Sequence, residues 1–91
     1  MTLHLPAQLT EYCARWERGE RFFLVHLARD LLDDWHLTQT WGQSGTSRGA
    51  QVRRRVLRNL DEATRVLNEI HARRAQSGDQ LQLEQIESAE P

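Results

Sequence analysis

A chain of 91 residues with a net charge of −1 is one small domain, near the lower limit at which a single core holds a fold. No apolar run is long enough to span a bilayer, and Met1–Gln8 has neither the basic start nor the apolar stretch of a secretory signal, so a cytoplasmic protein is expected. A single cysteine, Cys13, excludes an internal disulfide.

The elements follow in chain order. Residues 1–8 read as an N-terminal extension and residues 9–80 as the domain itself. A first strand fits 9–17, with Tyr12, Ala14 and Trp16 on one parity. Arg18-Gly19-Glu20 marks a tight turn into a second strand at 21–29. That strand is almost continuously apolar (Phe22, Phe23, Leu24, Val25, Leu27, Ala28), a pattern that suits a central strand covered on both faces, although a buried helix shares it. The acidic segment Asp30–Asp34 connects it to a third strand at 35–42, and a fourth spans 50–58.

The helix that follows has clear local signals. Asn59 is a good N-cap, and Glu62 stands three residues on, as in a capping box. Leu60, Ala63, Val66, Leu67 and Ile70 form one apolar stripe on a helical period. Arg73 and Arg74 suit the negative end of the dipole, and Gly78 suits the residue after the C-cap. Leu81 and Leu83 are consistent with a short edge strand within an acidic tail at 81–91. The expected architecture is α+β: an antiparallel sheet of four or five strands with one C-terminal helix packed on it.

Charge is segregated along this framework. Residues 35–60 hold five arginines and no acid, whereas residues 79–91 hold four acids and no arginine. All 12 basic residues are arginine, whose fork grips phosphate bidentately and stacks on flat rings. Within the basic segment Trp41 runs into the glycine-rich turn Gly42–Gly49, and the turn opens onto Arg53-Arg54-Arg55. A flat aromatic ring, a loop of amides and hydroxyls, and an arginine cluster thus adjoin at one hairpin end, which is what stacking on a nucleotide and holding its phosphates requires.

Each of these features also has an ordinary structural use. Trp41 shares parity with Trp35 and Leu37 and would fill a core equally well; Trp35 is assigned to the core. The turn could bind an anion through its amides and the hydroxyls of Ser44, Thr46 and Ser47, or could simply close a hairpin. Arg53 and Arg55 share a face with Leu57, while Arg54 lies with Val52 and Val56. That face either contacts phosphate or is solvated. His4, His26, His36 and His71 show no metal-ligand spacing, and His26 within the apolar strand reads as a hydrogen-bonded core residue. No nucleophile–base–orienter set can be assembled, so neither catalysis nor a cofactor is expected.

With those residues in view, the segment from Arg21 to Gly78 resembles the WGR domain, a small module found in DNA-dependent poly(ADP-ribose) polymerases and in short bacterial proteins. The resemblance is carried by Arg21-Phe-Phe-Leu-Val-His-Leu27, by Asp30-Leu-Leu-Asp-Asp-Trp35 leading into Leu37, by Trp41-Gly42 with Gly45-Thr46, and by Asn59-Leu-Asp-Glu-Ala63. It departs at Gln43, which stands where the family has its signature arginine. The resemblance implies a non-catalytic module for DNA ends, nicks or single-strand breaks, in which Trp41 packs against a strand end. Trp41, Gly42, Gln43, Ser44, Thr46, Arg48, Arg53 and Arg55 are the candidate DNA-binding residues, and a separate protein partner would supply any enzymatic activity. The competing expectation is a protein-interaction module, favoured by Gln43, the near-neutral total charge and an acidic tail that could occupy the basic patch.

Overall fold

The computed structural model describes residues 2–45 and 49–89. It is a small α+β domain, a five-stranded antiparallel sheet with one helix packed on it. In chain order come β1 (Leu9–Arg18), β2 (Arg21–Arg29), β3 (Trp35–Gln43), β4 (Gln51–Leu57), α1 (Leu60–Gln76) and β5 (Gln80–Ser88). The spatial order is β4-β3-β2-β1-β5, with every neighbouring pair antiparallel. None of the helices among the described residues is long and apolar enough to cross a membrane.

The first four strands follow one another through hairpins. Gly19, with φ at +59°, makes the β1–β2 turn. At the β2–β3 turn the Asp30 carboxylate accepts hydrogen bonds from the backbone N–H groups of Leu32 (2.8 Å) and Asp34 (3.0 Å), which leaves Leu31 and Leu32 exposed at the tip.

Antiparallel alternation puts one set of side chains under the helix. Tyr12, Ala14, Val25, Leu27, Leu37 and Leu57 are fully buried there, with Trp16 and Trp35 nearly so. A β-bulge between Leu9 and Glu11 resets the parity of β1, so Leu9 joins Tyr12 in the same core. From α1 the stripe Ala63, Val66, Leu67 and Ile70 closes the layer.

The helix ends obey their local signals, with one change of partner. Asn59 Oδ1 accepts from the Glu62 N–H at 2.8 Å, but the Glu62 carboxylate accepts from the Arg58 N–H at 3.0 Å instead of closing back on residue 59. The Arg58 amide is the largest of the causes that hold the Glu62 carboxyl below its usual range. Gly78 follows the C-cap Ser77 with φ at +81°.

Three expectations are revised. First, α1 covers only one face of β2: Val25 and Leu27 are fully buried, whereas Phe22, Leu24, His26 and Ala28 on the other face are half-buried. A continuous apolar run reports what a strand tolerates on both faces, and the described residues hold just one helix to place. Second, His26 is accordingly no core residue; its side chain is 43% exposed and meets Glu11 at 3.2 Å. Third, the expected short edge strand extends over nine residues and pairs with β1, so most of the acidic tail lies at the opposite edge of the sheet from β4. The N-terminal extension is also engaged, since the Leu3 N–H donates to Asn68 Oδ1 at 2.6 Å and Leu3 and Leu5 pack on the core.

Candidate nucleic-acid interface

One row of cross-strand partners builds the site. Trp16 pairs with Phe23, Phe23 with Trp41, and Trp41 with Gln51, all on the helix side of the sheet. The row begins in the core, where Trp16 is 3% exposed, and ends at the exposed edge. Trp16 meets Phe23 edge-on at 6.0 Å, and Phe23 lies nearly parallel to Trp41, with centroids 6.2 Å apart and planes at 16°. Trp41 is therefore half-buried, its ring supported by Phe23. The open alternative between core and platform resolves to an intermediate: a ring rooted in the aromatic row and only partly covered.

The C-terminal end of α1 finishes above this row. Arg74 places its guanidinium 4.3 Å from the Phe23 ring centre, a cation–π contact. Two hollows adjoin there and share Phe23, Trp41 and Arg74. The larger, about 470 Å³, extends towards Arg18, Arg21, Gly42 and Gln43; the smaller, about 250 Å³, extends towards Gln39, Arg53 and Arg73. Together they form a groove between the helix end and the β3–β4 edge, lined among the described residues by five arginines against one carboxylate, Asp79.

Asp79 is only 9% exposed and holds Arg74 at 3.1 Å and Arg18 at 3.4 Å. Arg21, Arg53 and Arg73 have no carboxylate partner among the described residues. Arg74 Nε is buried and has no hydrogen-bond partner among them either, although a buried donor is normally satisfied. The groove thus has a flat apolar floor and uncompensated cations on its walls.

The candidate residues divide on inspection. Trp41, Gly42, Gln43 and Arg53 line the groove. Gly42 stands where a Cβ would come within 3.4 Å of both Ala50 Cα and Phe22 Cε1, so the β3 end can pass close to its neighbours. Ser44 is exposed, and its N–H donates to the Glu20 carbonyl at 2.7 Å, so that amide closes the strand end and is not offered to an anion. Arg55 lies on the same face as Arg53 but pairs with Leu37, one row further along, and lines neither hollow. Thr46 and Arg48 lie outside the described residues.

Sequence reasoning missed Arg18, Arg21, Phe23, Arg73 and Arg74. In the sequence Arg73 and Arg74 suit the helix dipole and Phe23 an apolar strand, with no spacing that marks more. Their adjacency to Trp41 follows from the pairing of β2 with β3 and the position of the helix end, neither of which has a local signature. Beneath the groove, Tyr12 Oη donates to Glu84 Oε2 at 2.6 Å and contacts His71 Nε2 at 2.7 Å. Burial, reinforced by Glu84, pushes the Tyr12 hydroxyl far above its ordinary value, while burial lowers His71 against the pull of Glu84. His71 also packs edge-on to Trp16 at 4.8 Å, so this network supports the aromatic row from below.

No protein-family model, curated protein or solved structure matches the chain.

Proposed function

We propose that the chain is a non-catalytic nucleic-acid-binding module that takes DNA ends, nicks or breaks through one stacking platform and arginine–phosphate contacts. The observation that carries this reading is the Phe23–Trp41 stack set in a groove of five arginines. Phosphates fit the uncompensated guanidiniums of Arg21, Arg53 and Arg73, and the order of motifs shared with WGR domains supports the same use of Trp41.

The platform has one seat. Trp41 is half-buried beside Phe23 and lines both hollows, so it offers a base or sugar one stacking partner. Single-strand-binding surfaces that follow a run of bases use successive aromatics instead. A lone platform favours a position where one nucleotide is already unstacked, which is a strand end, nick or gap. Contacts to backbone and ring carry little sequence information, so weak sequence preference is expected. The groove offers arginines, rings and amides, and its one carboxylate is engaged by two arginines. Chemistry on bound DNA would therefore belong to a separate protein, with no cofactor held here.

Fluorescence polarisation with blunt, nicked, gapped and continuous duplexes, and with single-stranded DNA and RNA, tests the proposal. Ended or nicked DNA should bind more tightly than a closed duplex of the same length. Equal affinity for every form would remove the end-recognition reading, and no binding at low salt would remove the nucleic-acid reading. A second reading, protein docking, is favoured by a different surface, the uncovered face of the sheet.

A further inference from the structure

Among the described residues, no layer covers the sheet face opposite α1. Three cross-strand rows span it from β4 to β5: Val52, Thr40, Leu24, Arg15, Leu83; then Arg54, Thr38, His26, Cys13, Gln85; then Val56, His36, Ala28, Glu11, Glu87. Phe22 adds a ring beside Arg15, whose guanidinium lies 4.7 Å from the ring centre. Val52 is 53% exposed, Val56 58% and Leu83 42%, around a half-buried centre of Phe22, Leu24 and Ala28. Apolar side chains left exposed among polar and charged ones on one uncovered face suit a protein contact, since such interfaces are on the whole about as apolar as the rest of a protein surface.

Its charges are polarised across the strands. At the β5 side Glu11 stands directly opposite Glu87, a like-charge cross-strand pair that opposes its own sheet. At the β4 side Arg54 sits between Val52 and Val56 with no carboxylate partner among the described residues. One edge has an unmatched cation and the other an excess of acid.

We propose that a second copy of this chain covers this face, sheet against sheet, about a two-fold axis parallel to β2. That operation lays β4 of each copy over β5 of the other. Val52 then meets the other copy's Leu83, which shares its row, and Arg54 comes within side-chain reach of the other copy's Glu11 and Glu87. Every such contact occurs twice, as an isologous interface requires. Sheets packed in this aligned way stand about 10 Å apart, with strand directions within about 30° of each other. The area is sufficient. Five strands at about 4.8 Å and roughly seven residues at about 3.3 Å give a face on the order of 550 Å², hence about 1,100 Å² over both copies, just above the roughly 1,000 Å² that a biological interface should clear. Both helices, and both Trp41 grooves, then point outwards on opposite surfaces.

Sedimentation velocity across micromolar concentrations tests this on the whole chain, without reference to any nucleic acid. The chain should sediment at twice 10.6 kDa. Arg54→Glu, and separately the double change Glu11→Arg with Glu87→Arg, should each weaken the dimer by roughly 100-fold or more, because like charges then face each other. Mixing those two proteins should restore a dimer. Circular dichroism confirms that each variant is folded, and none of the three positions lines the groove, so end-binding affinity per chain should persist. A monomer at every concentration, a dimer indifferent to Arg54→Glu, or failure of the mixture to reassociate would overturn the proposal.

Discussion

Replacing Trp41 by leucine tests the platform directly. The indole is half-buried and leans on Phe23 at 6.2 Å, so leucine keeps an apolar contact there while removing the flat ring. The folded state loses the aromatic pair, about 0.5–1.5 kcal/mol, and part of the buried area, so the total cost should be about 1–2 kcal/mol. A domain of this size has roughly 5–10 kcal/mol of stability and stays folded at 25 °C after that loss. Binding loses one stacked group, about 1–3 kcal/mol, which corresponds to a Kd raised roughly 5- to 150-fold for nicked or blunt DNA. Melting temperature and polarisation titrations on the same preparation separate the two effects. A variant that melts lower but binds ended DNA with unchanged affinity would refute the platform and leave Trp41 as a packing residue.

Three further predictions follow from the same geometry. If Arg21, Arg53 and Arg73 contact phosphates, log K should fall with log salt at a slope of roughly −2 to −3, and Arg53→Gln should flatten it by about one unit; a slope near zero would exclude phosphate contact. Leu67, fully buried under the sheet, should cost about 2–5 kcal/mol when changed to alanine, measured by urea unfolding; a loss below about 0.5 kcal/mol would contradict the packing. Acidification should also destabilise the fold. Burial holds His71 below its ordinary value of 6.5, so the folded state resists a proton that the unfolded chain accepts. The stability from His71 is present above pH 6.5 and is lost as pH falls through its lowered folded value. Asp30 and Glu62, both held low, extend the loss below the ordinary carboxylate range. Melting temperature should therefore drop from pH 7 to pH 5, and His71→Gln should reduce that drop; an identical pH profile in the variant would remove His71 from the explanation.

The near-zero net charge conceals two opposite edges. β4 and the helix end carry Arg53, Arg73 and Arg74 of the groove, while β5 carries Glu84 and Glu87 on the far side of β1. The acidic segment through Ser88 is bonded along β1 and cannot lie over the groove while that pairing persists. Autoinhibition by this part of the tail, an expectation raised by composition, is thus excluded by sheet order.

What was legible in the sequence was whatever is encoded within one element. The period of Ala63, Val66, Leu67 and Ile70 set the buried stripe of α1, and Asn59 and Gly78 set its limits, because capping and amphipathicity involve residues only a turn apart. Alternation likewise placed Tyr12, Ala14 and Trp16 on the core face and separated Arg53 and Arg55 from Arg54. Trp41 with Gly42 and Arg53 marked one wall of the groove. The opposite wall was decided only in three dimensions: Arg18, Arg21, Arg73 and Arg74 reach it because β1, β2 and the end of α1 converge beside β3. Periodicity says which side of an element is apolar but not which neighbour covers it. The same apolar run in β2 therefore could not reveal that Val25 would be sealed by the helix while Leu24, one residue away, would face outwards. Strand pairing over long sequence separation, such as β5 with β1, is a choice among competing edges made by the whole core, and no local pattern records it.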